Sequence, residues 1–200
     1  DISDAELVLQ SYAVWGEGCP QRLLGDFAFV VWDAKQRRLF CARDHMGARP
    51  IYYTLNDRFF AFASEDEALT TLPGVSSQPN KERIAYALVQ TFDTFDSAHS
   101  WLEDVWSIMP AQSMTVSIER TVKKFTYWSL EPGEETQYAS DEECREAFLK
   151  VFGEAVACRS RSIGAFSVMM SGGLDSAAIA AMLKRSQQGV VSTQFHTYST

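Results

Sequence analysis

The sequence predicts an α/β chain in two parts. The first is a layered sandwich of short antiparallel strands and covering helices, and the second is the opening strand, turn, helix and strand of a parallel-sheet domain. Three observations predict this. Residues 25–127 are dominated by short apolar or alternating runs of the strand type. The polar stretch Glu131-Pro132-Gly133-Glu134-Glu135-Thr136 then interrupts the pattern as a linker would. Beyond it, Ser171-Gly172-Gly173 forms a turn between an apolar strand and a helix rich in Ala, Ile, Met and Leu.

Each element has a local cause. Ser3-Asp4-Ala5-Glu6 is a capping box and starts a helix whose apolar face is Val8, Tyr12 and Trp15, with Leu7 and Val14 beside them. Gly16 is placed to end it. Because that helix begins almost at the first residue, further sequence upstream is expected, and the end near Thr200 is likewise expected to continue. Phe27 to Trp32 is apolar on both alternating faces and predicts a strand covered on both sides. Trp15, Trp32 and the phenylalanines are read as core.

Residues 37–43, 51–55 and 59–63 read as further strands, the last two joined by a two-residue turn at Asn56-Asp57. Residues 64–72 and 80–91 carry helical composition, broken by Pro73-Gly74 and Pro79. Met114, Val116 and Ile118 alternate with polar residues, and Val122, Phe125 and Tyr127 follow a turn near Glu119-Arg120, which predicts a hairpin. After the linker, Ser140 and Glu143 form a second capping box. Phe148, Val151, Phe152 and Ala155 then make a helical stripe. The parts expected are residues 1–130, a linker at 131–139, and residues 140–200.

Composition narrows the function classes. The 200 residues are 46% hydrophobic and 22% charged, which suffices to bury a core. A formal charge of −8 with only 18 Lys and Arg leaves no basic stripe for nucleic acid. Cys19, Cys41, Cys144 and Cys158 show neither CxxC spacing nor disulfide-scaffold density, which fits a reducing, cytoplasmic setting. No apolar run reaches the roughly 20 residues that span a bilayer, so no membrane partner is expected.

The most informative residues are Ser171-Gly172-Gly173-Leu174-Asp175-Ser176. Two glycines permit a sharp turn and a close approach to a ligand, and the following helix start favours an anion. Hydroxyls of Ser171 and Ser176 add donors. No lysine follows in the GxxxxGK[ST] pattern, so this is not the loop of ATPases that cleave the terminal phosphate. On physics alone an ordinary strand-to-helix turn fits as well. The hexapeptide, however, resembles the pyrophosphate loop of N-type ATP pyrophosphatases.

The upstream segments resemble, in order and spacing, the glutaminase domain of the asparagine synthetase (glutamine-hydrolysing) family. They are Gly25-Asp26-Phe27-Ala28-Phe29-Val30-Val31-Trp32-Asp33, then Arg43-Asp44-His45-Met46-Gly47-Ala48-Arg49-Pro50-Ile51-Tyr52-Tyr53, then Ala63-Ser64-Glu65. The resemblance implies an N-terminal-nucleophile α/β/β/α sandwich, incomplete here, followed by the first β-loop-α-β unit of an adenine-nucleotide α-hydrolase-like domain. It implies ATP and Mg²⁺ as cofactors, and as partners glutamine and aspartate or another carboxylate acceptor; a homodimer is compatible with it. Asp4 takes the role of the aspartate that binds the α-amino group of glutamine, although an acid in a first helical turn also stabilises the helix with no ligand. Met170, the loop residues Ser171, Gly172, Gly173, Leu174, Asp175 and Ser176, and Thr200 fall where relatives bind ATP, with Asp175 on magnesium. Arg43, Asp44 and Arg49 are read as fixing loops and the domain interface rather than as catalytic.

The family's amino-terminal cysteine nucleophile, its arginine segment and its Asn-Gly-Glu segment would all precede Asp1. No catalytic residue is therefore assigned here, and the 200 residues alone are expected to be inactive as a glutaminase. Cys19 and Cys41 are not substitutes, because the chemistry uses the chain's free α-amine as base. Pro110-Ala111-Gln112 departs from the usual Pro-Pro-Gly or Pro-Ala-Gly turn, and residues 92–101 are atypical. Two alternatives stand beside asparagine synthesis. One is a related amide-forming enzyme of the β-lactam synthetase or lasso-peptide cyclase type, and the other is a non-catalytic scaffold.

Overall fold

The computed structural model describes residues 2–89, 98–160, 166–186 and 195–199. The chain divides into two compact units, Asp1–Glu131 and Pro132–Thr200.

In the first unit, α1 (Asp4–Trp15) starts where Ser3 Oγ accepts the Glu6 amide at 3.3 Å. Gly16, at a φ of 56°, ends it, with its N–H on Tyr12 O. A 3₁₀ helix, Gly16–Arg22, follows. Strands β1 (Ala28–Asp33), β2 (Arg38–Arg43), β6 (Gln112–Ser117) and β7 (Val122–Thr126) form one antiparallel sheet in the order β1-β2-β6-β7. Strands β3 (Tyr52–Leu55), β4 (Phe60–Ala63) and β5 (Trp106–Ser107) form a second, in the order β4-β3-β5.

The period-2 alternation of the strands stacks these sheets. Cys41, Met114 and Val116 of the first pack with Tyr53 of the second and with Ile51 and Ile108, which flank its strands β3 and β5. On the outer face of the first sheet, Phe40 and Ala42 pack with Cys19 and against Tyr12, whose ring lies 5.2 Å from that of Phe40. On the outer face of the second, Leu69, Val75 and Val105 gather Tyr52, Ala61 and Ala63. Leu69 ends α2, the single turn Asp66–Leu69. Helix, sheet, sheet, helix is thus the order of layers, as the family resemblance implied. A further helix, α3 (Lys81–Val89), is capped by Asn80, whose Oδ1 accepts the Arg83 amide at 3.1 Å.

Three expectations need correction. Trp32 is not core: it is 53% exposed, although β1 is covered on both faces before it, with Ala28 and Val30 against the core between the sheets and Phe29 against Phe40 and Ala42. Trp15 is also half exposed, with the Arg22 guanidinium 5.9 Å from its ring centre, while Ser11 is the buried residue of α1. The β3–β4 connection takes four residues, 56–59, rather than two: Asn56 Oδ1 accepts the amides of Arg58 and Phe59 and the Asn56 amide donates to Phe59 O, which closes the turn over Asp57 and Arg58. The β6–β7 hairpin turns at Arg120, φ 64°, as expected.

The second unit opens with α4 (Asp141–Arg159), where Ser140 Oγ accepts the Glu143 amide and Glu143 in turn accepts the Ala139 amide. Strand β8 (Phe166–Met170), α5 (Leu174–Ser186) and β9 (Phe195–Ser199) follow, and β8 and β9 are parallel with Met170 opposite Ser199. The apolar stripe of α4 splits. Phe152 and Ala155 line an apolar cleft with Val168 and Leu183, while Phe148 and Val151 are 62% and 67% exposed. Among the described residues no helix is long and apolar enough to cross a membrane.

Candidate functional site

Two places combine backbone geometry with polar side chains. The first is a cleft of about 720 Å³ in the first unit. One wall is the start of α1, with Asp4 and Val8; the floor is Asp26 and the β1 residues Ala28 to Val31; the far side is Arg49, Pro50, Ser64 and Glu65. Among the described residues β1 is the edge of its sheet, and the cleft lies along it. Asp4 is exposed in the first turn of α1, where the helix dipole favours its negative charge. Three carboxylates and one guanidinium line the cleft, so it suits a ligand carrying an ammonium group.

The sequence reading singled out Asp4. It did not gather Asp26, Arg49, Ser64 and Glu65 around it, although all four lie in the segments that carry the family resemblance. That repetition of short motifs was the available signal.

Arg43 and Asp44 serve the loop beside the cleft. Arg43 donates to Ser107 Oγ, Ile108 O and Gly47 O at 3.1, 2.8 and 2.6 Å. Asp44, 1% exposed, accepts the amides of Met46, Ala48 and Arg49. Burial acts to raise its pKa, but those three amides and the Arg43 charge outweigh it and hold the carboxyl below its ordinary value. The sign follows: this contribution to stability is complete above the unfolded carboxylate pKa of roughly 3.9 and is lost as pH falls through the lower folded value.

The thiols of this unit are inert. Cys19 and Cys41 are both 0% exposed, and burial pushes their pKa values up to about 11 and about 12. Both remain neutral at pH 7, and neither supplies a nucleophile.

The second place is the loop between β8 and α5. Gly172 has a φ of 75°, and a Cβ there would meet nothing within 4 Å, so glycine serves the backbone conformation in open space. Ser171 and Ser176 brace the turn. Ser176 Oγ donates to Gly173 O and accepts the Ser171 amide at 3.3 Å, and the two hydroxyls lie 3.3 Å apart. They were expected as ligand donors, and here they hold the loop closed on itself. The first amides of α5 are those a helix start leaves without intrahelical partners, which makes this an anion-favouring end. Asp175 is exposed in the first turn. Met170 ends β8 immediately before the loop. Thr200 lies outside the described residues. Among the described residues no cluster of three or more His, Cys, Asp or Glu is poised as a metal cage. Asp175 alone can give one carboxylate to a divalent cation that takes its other ligands from a bound anion and water.

Comparison with known proteins follows this division. A family model described as "Glutamine amidotransferase domain" matches residues 1–128, and one described as "Asparagine synthase" matches residues 147–200. The chain is 32% identical over 200 residues to asparagine synthetase [glutamine-hydrolyzing] 3 of Bacillus subtilis, covering 98% of this chain and 31% of that protein. It is 26% identical over 198 residues to a putative asparagine synthetase [glutamine-hydrolyzing] 2 of Methanocaldococcus jannaschii, covering 98% of this chain and 38% of that one. Amidase chry2 of Gibberella zeae is 28% identical over 183 residues, 90% of this chain and 26% of its own length. The chain thus spans about a third of the length of the curated relatives it matches. A solved structure of the glutamine phosphoribosylpyrophosphate amidotransferase of B. subtilis covers 98% of this chain and 39% of its own at 13% identity, with a TM-score of 0.39, too loose a likeness to add to the layering described above. By its residues 1–128 the chain belongs to the glutamine amidotransferase domain family, and its residues 147–200 are similar to the asparagine synthase model.

Proposed function

We propose that the polypeptide carrying this chain is an ATP-dependent amide-forming synthetase. Ammonia released from glutamine in the first unit attacks a carboxyl activated as an acyl-adenylate in the second, with aspartate as acceptor and asparagine, AMP and pyrophosphate as products. The observation that carries this reading is the pairing, in one chain, of an Asp4-lined cleft with a β8–loop–α5 phosphate turn that lacks the lysine of terminal-phosphate hydrolases.

The proposed roles are those that the family resemblance implies. Asp4 pairs with the α-ammonium of glutamine, a charge-assisted bond. The loop from Ser171 to Ser176 offers a helix start to the phosphates of ATP, with Gly172 allowing their close approach and Met170 and Thr200 flanking the nucleotide. Asp175 holds magnesium, which would offset the charge of the departing pyrophosphate. A second reading, amide formation on an acceptor other than aspartate, is favoured by the departure at Pro110-Ala111-Gln112 and by the likeness to a protein named as an amidase.

Incubating the intact polypeptide with amide-¹⁵N glutamine, ATP, Mg²⁺ and aspartate tests the proposal. Glutamate, AMP, pyrophosphate and ¹⁵N-asparagine in equal amounts are expected. Release of ADP and phosphate would contradict the activation chemistry. Turnover only with a different carboxylic acid would favour the second reading.

A further inference from the structure

The wall of the cleft formed by Arg49 and Pro50 belongs to the segment between β2 and β3, which has neither helical nor strand hydrogen bonding of its own. A segment of this kind needs some other source of order, because each fixed residue costs roughly 1 to 2 kcal/mol of backbone entropy. Asp44 supplies it. Its Oδ1 accepts the amides of Met46 at 3.1 Å and Ala48 at 2.9 Å, and its Oδ2 accepts that of Arg49 at 2.9 Å. Its own amide donates to Phe27 O at 2.8 Å, at the point where the chain enters the cleft floor. Its carbonyl accepts the amides of Gly47 at 3.1 Å and Ala111 at 2.9 Å. Gly47 completes the lock. With a φ of 66°, a Cβ there would lie 2.7 Å from Pro110 Cγ.

The direction of these bonds matters. The Asp44 carboxylate is buried, yet the three amides it accepts all belong to the loop that leads to Arg49 and Pro50. A carboxylate needed only for the core would bond the sheets. We propose that Asp44 is a positioning residue for glutamine: acting through the amides of Met46, Ala48 and Arg49, it fixes Arg49 and Pro50 as the wall that completes the Asp4 cleft. This rests on the reading of that cleft as the glutamine site.

Asp44→Asn separates the carboxylate from its shape. An amide side chain keeps one acceptor oxygen and turns an NH₂ group towards a backbone donor, so part of the set of three bonds must fail. In the intact polypeptide the KM for glutamine should rise about tenfold, with kcat and synthesis from added ammonia within about twofold of the parent. Hydrogen exchange of the peptide spanning residues 45–50 should quicken, with the β2 and β6 peptides unchanged. Gly47→Ala strains the same loop without touching the carboxylate and should give the same split between glutamine and ammonia, which decides the matter if Asp44→Asn does not fold.

Faster loop exchange with an unchanged glutamine KM would overturn the positioning role. So would an equal fall in glutamine- and ammonia-dependent synthesis, which marks a residue that merely stabilises the fold. A parent enzyme that never uses glutamine would instead remove the function on which the inference rests, an outcome visible before any variant is made.

Discussion

Residue type alone is a poor guide to reactivity in this chain, as its four thiols show. Cys41 sits between the two sheets with Met114 and Ile108 as companions, and Cys19 is sealed against Phe40 and Ala42. Their raised pKa values follow from desolvation of the thiolate. Cys144 and Cys158 lie exposed on α4. A chromogenic disulfide reagent at pH 8 should therefore titrate two thiols rapidly in the folded chain and the other two only after denaturant is added. Rapid labelling of Cys41, read by mass spectrometry, would contradict the packing described here. Cys41→Ser should cost roughly 1 to 3 kcal/mol by denaturant unfolding, since a hydroxyl takes the place of a thiol among apolar neighbours.

The β8–loop–α5 unit shows how far local chemistry carries a structure. Ser171 to Ser176 folds as its own residues dictate: Gly172 supplies the positive φ, Ser176 ties Gly173 O to the Ser171 amide, and α5 begins at Leu174. The two helices that open on capping boxes and the β6–β7 hairpin were legible for the same reason, because capping boxes and turn residues act within a few residues of themselves, whereas the layer order came from the family resemblance. What was not legible depends on distant neighbours. Trp32 finds no packing partner in the core although its strand does, and the cleft is gathered from Asp4, Asp26, Arg49 and Glu65, which are far apart along the chain. A four-residue β3–β4 turn escaped notice because the side chain of Asn56, rather than a pair of turn residues, organises it. For the loop itself, Asp175→Ala in the intact polypeptide should lower ATP–pyrophosphate exchange at least tenfold, about 1.4 kcal/mol of transition-state stabilisation. Exchange at the parent rate in a folded variant would remove magnesium binding from its role.

Taken together, the two units divide the proposed work: a sandwich with an acidic cleft handles glutamine, and a parallel β-loop-α-β unit handles ATP. Such a division makes a separable prediction, since added ammonia bypasses the first unit and leaves the second to act alone. Asp4 is the residue on which it turns. Asn at that position keeps the side chain's shape and a competent helix start but removes the charge facing the ligand's ammonium. The decisive measurement is amide synthesis by Asp4→Asn in the intact polypeptide, assayed in parallel with glutamine and with ammonia. Synthesis from glutamine should fall roughly ten- to a hundredfold while synthesis from ammonia stays near the parent rate; an equal fall in both, or no fall in either, would return Asp4 to the role of a helix-stabilising acid and leave the cleft without its ligand.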